Sequence, residues 1–184
     1  MPFREPGRIE TMMTRLATAT VASGYYKRLV RDIGLQGNER VMDFGSGSGM
    51  ASRYIAERLT DGEGHLTCVD VSKVWMEVTK KRTKAFSNVD FKLGEITSLD
   101  IENGSYDVII ISFVLHDVDE HERQAMVNEI ANKLKSGGRI VIREPTRSDH
   151  GMDPTDLRTV MMGAGLTESE GKRVGSRFDA VYRK

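Results

Sequence analysis

Only one cysteine, Cys68, occurs in the 184 residues of the chain. That excludes an intramolecular disulfide and a structural zinc site built on cysteines. An excess of either charge is also missing, since 27 Lys and Arg balance 27 Asp and Glu. The total therefore gives no reason to expect nucleic acid or an anionic membrane as a partner. No apolar stretch approaches the ~20 residues that span a bilayer; the longest, Val108 to Ile111, is strand-sized. The opening residues, MPFREPGRIE, are polar and carry no secretory apolar run. These absences lead us to expect a reducing, cytoplasmic setting, no membrane span and no metal centre.

What is present describes one globular domain, residues 1–184, at 39% hydrophobic and 29% charged residues. From Pro6 to Ile33 the residues Ile9, Met12, Met13, Leu16, Ala19 and Ala22 recur at helical spacing, and Gly24 is expected to interrupt the pattern. Residues 1–33 thus read as a helical cover and residues 34–184 as the core. There, strands at Glu39–Phe44, Gly64–Val71, Val89–Leu93, Tyr106–Ser112 and Arg139–Arg143 alternate with helices at Gly49–Leu59, from Ser72 to about Ala85, and at Asp119–Leu134. Gly137 and Gly138 are expected to stop the third of these. Asp153 and Pro154 open a further helix. Two final strands, Leu166–Glu170 and Arg177–Arg183, joined by Gly171 to Gly175, should pair antiparallel. The alternation predicts an α/β, doubly wound, mostly parallel seven-stranded sheet with an antiparallel C-terminal hairpin and a preceding N-terminal helix.

Ligands of such sheets bind beyond the carboxyl ends of the strands. The first strand ends at Asp43 and Phe44, and Gly45, Gly47 and Gly49 follow at every second position. Glycine permits positive φ and a close ligand approach, and the amides of a helix starting near Gly49 favour an anionic group. Asp70 closes the second strand at about the ~20-residue interval expected of a ribose-binding carboxylate, although it also suits a helix cap. A dinucleotide fingerprint would place glycine at Met50 or Ser52, which weakens a nicotinamide reading. A phosphate loop would end in Gly-Lys-Ser/Thr, and this one does not.

Asp43-Phe44-Gly45-Ser46-Gly47-Ser48-Gly49 resembles the cofactor motif of class I S-adenosylmethionine-dependent methyltransferases. The likeness extends from about Gly34 to the C-terminus, through VDVS (69–72), LGEITSLD (93–100), YDVIIISFVLHDV (106–118), LKSGGRIVIREP (134–145) and the terminal hairpin. It implies S-adenosylmethionine as cofactor. It implies that Asp43 with the backbone of Gly45, Ser46 and Gly47 holds the methionine portion, over Ser112. Asp70 would take the ribose, Val71 and Ile96 the two faces of the adenine, and Glu95 its amino group. Trp75 would cover the purine or pack in the core.

On the reacting side the foremost candidate is His116, whose imidazole suits proton transfer near neutral pH. The alternatives are His121, in a segment similar to the HDWSDEH stretch of O-methyltransferases but one residue shorter, and Tyr25 or Tyr26. Arg143, Glu144 and Arg147 would orient a charged substrate or be solvated. The short stretch Glu144 to Asp153 leaves the N-terminal helix or a neighbouring subunit, as in a homodimer, to cover the substrate. A small thiol, hydroxyl or quinone-like acceptor is expected. Arsenite chemistry of the family type is disfavoured by the lone cysteine. A non-catalytic cofactor-binding subunit and an NAD oxidoreductase stay open.

Overall fold

The computed structural model describes residues 23–184; the helical pattern expected from Pro6 to Ala22 lies outside them. Numbered β1 to β7 in chain order, the strands Arg40–Phe44, His65–Asp70, Val89–Leu93, Tyr106–Ser112, Leu134–Pro145, Thr167–Val174 and Arg177–Arg183 form one sheet in the order β3-β2-β1-β4-β5-β7-β6. The chain divides into two compact units, Met1–Glu95 and Ile96–Lys184.

The first unit holds α1 (Ser23–Ile33), β1 (Arg40–Phe44), α2 (Met50–Leu59), β2 (His65–Asp70), α3 (Lys73–Thr83) and β3 (Val89–Leu93). β1 pairs with β2 and β2 with β3, all parallel. Val41, Met42, Leu66, Cys68 and Val69 are fully buried, as strands covered on both faces require. Gly24 does not interrupt α1 but lies inside it. It is exposed, and nothing lies near the position a Cβ would take, so the cost is only the ~1 kcal/mol of helix propensity. The helix ends instead at Gly34, which adopts φ 68° and donates its N–H to the Arg31 carbonyl, a left-handed terminus.

The second unit holds β4 (Tyr106–Ser112), a 3-10 turn (Leu115–Asp117), α4 (Glu120–Lys133), β5 (Leu134–Pro145), α5 (Pro154–Gly163), β6 (Thr167–Val174) and β7 (Arg177–Arg183). β4 and β5 are parallel, while β7 runs antiparallel to both β5 and β6. Two expectations are corrected. Gly137 and Gly138 do not stop α4, which ends at Lys133; they lie within β5. Their backbone groups pair with the end of the chain, Gly137 N–H to the Lys184 carbonyl and Lys184 N–H to the Gly138 carbonyl. Gly171 to Val174 is not loop but strand, in register with Ala180 to Arg177. The turn is only Gly175-Ser176, with Gly175 at φ 61°, as a two-residue hairpin demands.

One glycine matters beyond its turn. Gly49 sits at φ 69°, and a Cβ there would lie 2.8 Å from the Cα of Thr79, so α3 packs directly against the loop that follows β1. Gly49→Ala combines left-handed strain with overpacking and should cost about 2–4 kcal/mol. Gly175→Ala, with the same sign of φ but open space around it, should cost about 1–2 kcal/mol. Urea denaturation of both variants checks this; equal losses would show that the packing of Thr79 on Gly49 contributes nothing.

Candidate functional site

In the first unit the glycine loop is drawn against β2 by backbone and side-chain acceptors. The Val69 carbonyl accepts from the N–H of Gly45 (2.9 Å) and of Ser46 (3.1 Å). Asp70, buried at the end of β2, accepts the Gly47 N–H on Oδ2 at 2.7 Å and the Ser72 N–H on Oδ1 at 2.8 Å. From α3, Thr79 Oγ1 donates to the Gly47 carbonyl at 2.8 Å and Arg82 Nη1 to the Ser48 carbonyl at 2.6 Å. Gly45, Gly47 and Gly49 all have positive φ, which turns the loop tightly enough to satisfy these partners.

Asp43 is 2% exposed at the end of β1 and accepts from Ser52 Oγ at 2.5 Å. Burial pushes its carboxyl up to about 6; the Ser52 hydrogen bond opposes the shift and the charge of Asp70 adds to it. Tyr26, half-buried and edge-on to Tyr25 with ring centres 5.2 Å apart, is raised by burial first, then by Tyr25 and Asp43, with Arg82 opposing. Its hydroxyl is therefore in electrostatic reach of the loop. The structure brings Asp70, Asp43, the three glycines and Ser46 together in the first unit.

Beside them, Val71 is 40% exposed although apolar, and Leu93, which the register places next to Asp70, is 46% exposed. Glu95 is exposed and Trp75 half-buried.

In the second unit Ser112 ends β4, and Phe113 follows at φ 60°, a conformation that strains a non-glycine residue. Glu144, wholly buried at the end of β5, collects the loop. Its Oε1 accepts from the N–H of Val114 (3.0 Å) and Leu115 (2.9 Å), and its Oε2 lies 2.7 Å from His116 Nδ1. Glu144 is thus not solvated. The His116 side chain is 5% exposed, with Nε2 3.5 Å from Asp117 Oδ1. Burial disfavours its cation, but the Glu144 hydrogen bond and charge and the Asp117 charge outweigh this, so its pKa lies above the usual value.

His121 is an exposed first-turn residue of α4 whose N–H meets its cap, Asp119. Arg147 is exposed and paired with Asp149. Ile96 is 1% exposed, a core side chain of its unit. Sequence reasoning missed Glu144 as the partner of His116, and it missed His150, whose ring stands edge-on to His116 with centres 4.6 Å apart. An acid closing an otherwise apolar strand was the available signal for Glu144; His150 had none.

Two hydroxyls test whether these residues fit the cofactor implied by the motif. Ser46 Oγ and Ser112 Oγ are buried with no hydrogen-bond partner among the described residues, each at a position expected to meet the methionine portion. Unsatisfied buried polar atoms are uncommon and ask for a partner. Within the first unit, the unpartnered Ser46 hydroxyl and the exposed apolar Val71 fit a ligand that is part polar and part apolar.

Fold and loop together define a class I S-adenosylmethionine-dependent methyltransferase domain. Residues 41–138 match the model of the methyltransferase domain family, and the chain belongs to that family, whose cofactor is S-adenosylmethionine. The demethylmenaquinone methyltransferase of Clavibacter sepedonicus is 28% identical over 151 residues, covering 77% of this chain and 59% of that protein. The arsenite methyltransferase of Rattus norvegicus is 35% identical over 114 residues, covering 56% of this chain and 30% of that protein. The chain spans less than two thirds of the length of either curated relative. Among solved structures, a SAM-dependent methyltransferase from Aquifex aeolicus aligns with TM-score 0.73 at 18% identity, over 85% of this chain and 88% of the other. A TehB-like SAM-dependent methyltransferase from Corynebacterium glutamicum aligns with TM-score 0.77 at 18% identity, over 97% of this chain and all of the other (100%). These two likenesses are of fold.

The raised carboxyl of Asp43 has a stability consequence. A folded-state pKa above the unfolded value stabilises at low pH, and the benefit is lost as pH rises through about 6. Asp43→Asn removes that dependence while leaving an acceptor for Ser52. Between pH 4 and pH 7 the stability of the variant should gain on the natural protein by about 2 kcal/mol, read by urea unfolding of the ligand-free proteins. A difference that does not change with pH would show that Asp43 titrates normally.

Proposed function

We propose that the chain, as a single methyltransferase domain, transfers a methyl group from S-adenosylmethionine to a small-molecule acceptor bearing a thiol, hydroxyl or quinone-like group. The observation that carries this reading is the glycine loop held by Asp70, with the unpartnered Ser46 hydroxyl in it, inside the matched family segment. When bound, the cofactor supplies an electrophilic methyl on a sulfonium, which an acceptor lone pair takes by in-line displacement while the bonding pair stays on sulfur.

The protein's own work is alignment and exclusion of water. Asp43 and the amides of Gly45, Ser46 and Gly47 hold the methionine portion. Asp70, at the end of β2, binds the ribose, Val71 lies on the adenine and Glu95 accepts from its amino group. A cationic ligand near Asp43 favours the ionised carboxylate, so ligand binding there opposes the burial that raises its pKa. The acceptor side is assigned to His116. Glu144 fixes its ring, and the residue promotes loss of the acceptor proton. A hydroxyl or quinol acceptor agrees with the likeness to a demethylmenaquinone methyltransferase. An acceptor carried on protein thiolates does not suit this chain, because Cys68 is buried and burial pushes its thiol well above the usual range.

Calorimetric titration should show saturable binding of S-adenosylhomocysteine and none of NADH; the opposite pattern would remove this function. Asp70→Ala should weaken S-adenosylhomocysteine at least about tenfold, the scale of a lost charge-assisted hydrogen bond, and unchanged affinity would reassign the ribose. With an acceptor found by screening phenols, quinols and small thiols against labelled cofactor, His116→Ala should lower kcat about 100-fold and leave cofactor affinity within a factor of two or so. Unchanged turnover would place the acceptor elsewhere.

A further inference from the structure

We infer that His116, Asp117 and His150 form a binding site for a divalent transition-metal ion of the zinc class. Three potential ligand atoms converge there from two loops of the second unit, one on each ring or carboxylate, all within 4.8 Å of one another. His116 Nε2 is 3.5 Å from Asp117 Oδ1, and His150 Nε2 is 3.9 Å from the same oxygen. These separations are too long for good hydrogen bonds. They are close to the roughly 3.3 Å that separates neighbouring ligand atoms around a tetrahedral ion with bonds of about 2.0–2.1 Å. Small side-chain rotations close the remainder, and Asp117 and His150 are free to make them, being 64% and 67% exposed.

A second observation is independent of that spacing. Metal-bound imidazoles characteristically give their other ring nitrogen to a carboxylate, which sets the tautomer and aims the ring. His116 has that arrangement: Nδ1 lies 2.7 Å from Glu144 Oε2, and Glu144 is itself immobilised by the amides of Val114, Leu115 and His116. Nε2 is left for the cluster. The loop bearing His150 is shaped as firmly. Thr146 bridges to Gly151, the Met152 N–H donates to the Pro145 carbonyl at 2.8 Å, and a Cβ on Gly151 would lie 2.7 Å from Arg147 and Pro145 backbone atoms. The fold thus returns the chain after β5 so that His150 stands against His116. Two nitrogens and one oxygen suit a borderline ion, and three protein ligands leave a coordination position open, as in catalytic rather than structural sites.

This site deepens the proposed function, on which its chemical role rests. An acceptor hydroxyl, as in a phenol or quinol, takes the open position, where the ion lowers its pKa and its proton passes to solvent. His116 then promotes deprotonation as a ligand, and the preferred acceptor atom is oxygen.

Binding is tested without turnover. Zn2+ titrated calorimetrically into the metal-stripped full chain should bind at one equivalent. Co2+ in its place should give the visible absorption of a four- or five-coordinate ion. His150→Ala and Asp117→Asn, both surface changes, should each weaken Zn2+ at least about tenfold, and His121→Ala should not. Absence of saturable binding, or equal affinity in His150→Ala and the natural chain, would overturn the site. S-adenosylhomocysteine binding, measured on the same samples, should be the same in all of them. Its absence from the natural chain would instead sink the methyl-transfer reading and leave the metal result standing.

Discussion

A buried carboxylate at the end of a parallel strand, gathering the amide hydrogens of a neighbouring loop, is the interaction on which this structure depends. Each compact unit uses it once. Asp70 closes β2 and takes the N–H groups of Gly47 and Ser72. Glu144 stands near the end of β5 and takes those of Val114 and Leu115, with His116 beside it. Loop amides that face no helix or strand partner are costly when buried, and a carboxyl group with two acceptor oxygens satisfies several at once. The same contact therefore folds the loop and builds the site.

The two carboxylates differ in what they present outward. Asp70 secures backbone, and the loop then offers positive-φ glycines, amides and the unpaired Ser46 hydroxyl, with Asp43 buried nearby at a carboxyl pKa of about 6. A ligand with a cationic group and hydroxyls complements that combination. Glu144 secures a side chain, the imidazole of His116, whose outer nitrogen faces Asp117 and His150. The strain at Phe113, a non-glycine residue at φ 60°, sits between Ser112 and the amides held by Glu144, where over-determination by surrounding hydrogen bonds sustains it.

Much of this was legible in the residues themselves. Alternating strands and helices, the glycines at every second position and Asp70 at its interval from them follow from backbone chemistry that any chain obeys, and each lies in the structure where it was expected. What was misread depended on partners far along the chain. Gly137 and Gly138 look like a helix stop, but their backbone groups pair with Lys184 and so become strand. Gly171 looks like loop until the register with β7 carries the strand on to Val174. Glu144 looks like a solvated charge because nothing local shows that three consecutive loop amides and an imidazole surround it. His150 carries no periodicity at all; only the tight return of the chain at Gly151 brings it to His116.

The cofactor is read from the first loop, and the proposed acceptor chemistry from the second. The central claim is that the glycine loop held by Asp70 is where the cofactor is bound. Amide NMR of the isotopically labelled chain titrated with S-adenosylhomocysteine tests it most directly. The account predicts large saturating shifts at Gly45, Ser46, Gly47 and Val71, with Gly175 and Gly165 unmoved. Shifts that leave the glycine loop unchanged while the ligand saturates elsewhere would contradict it.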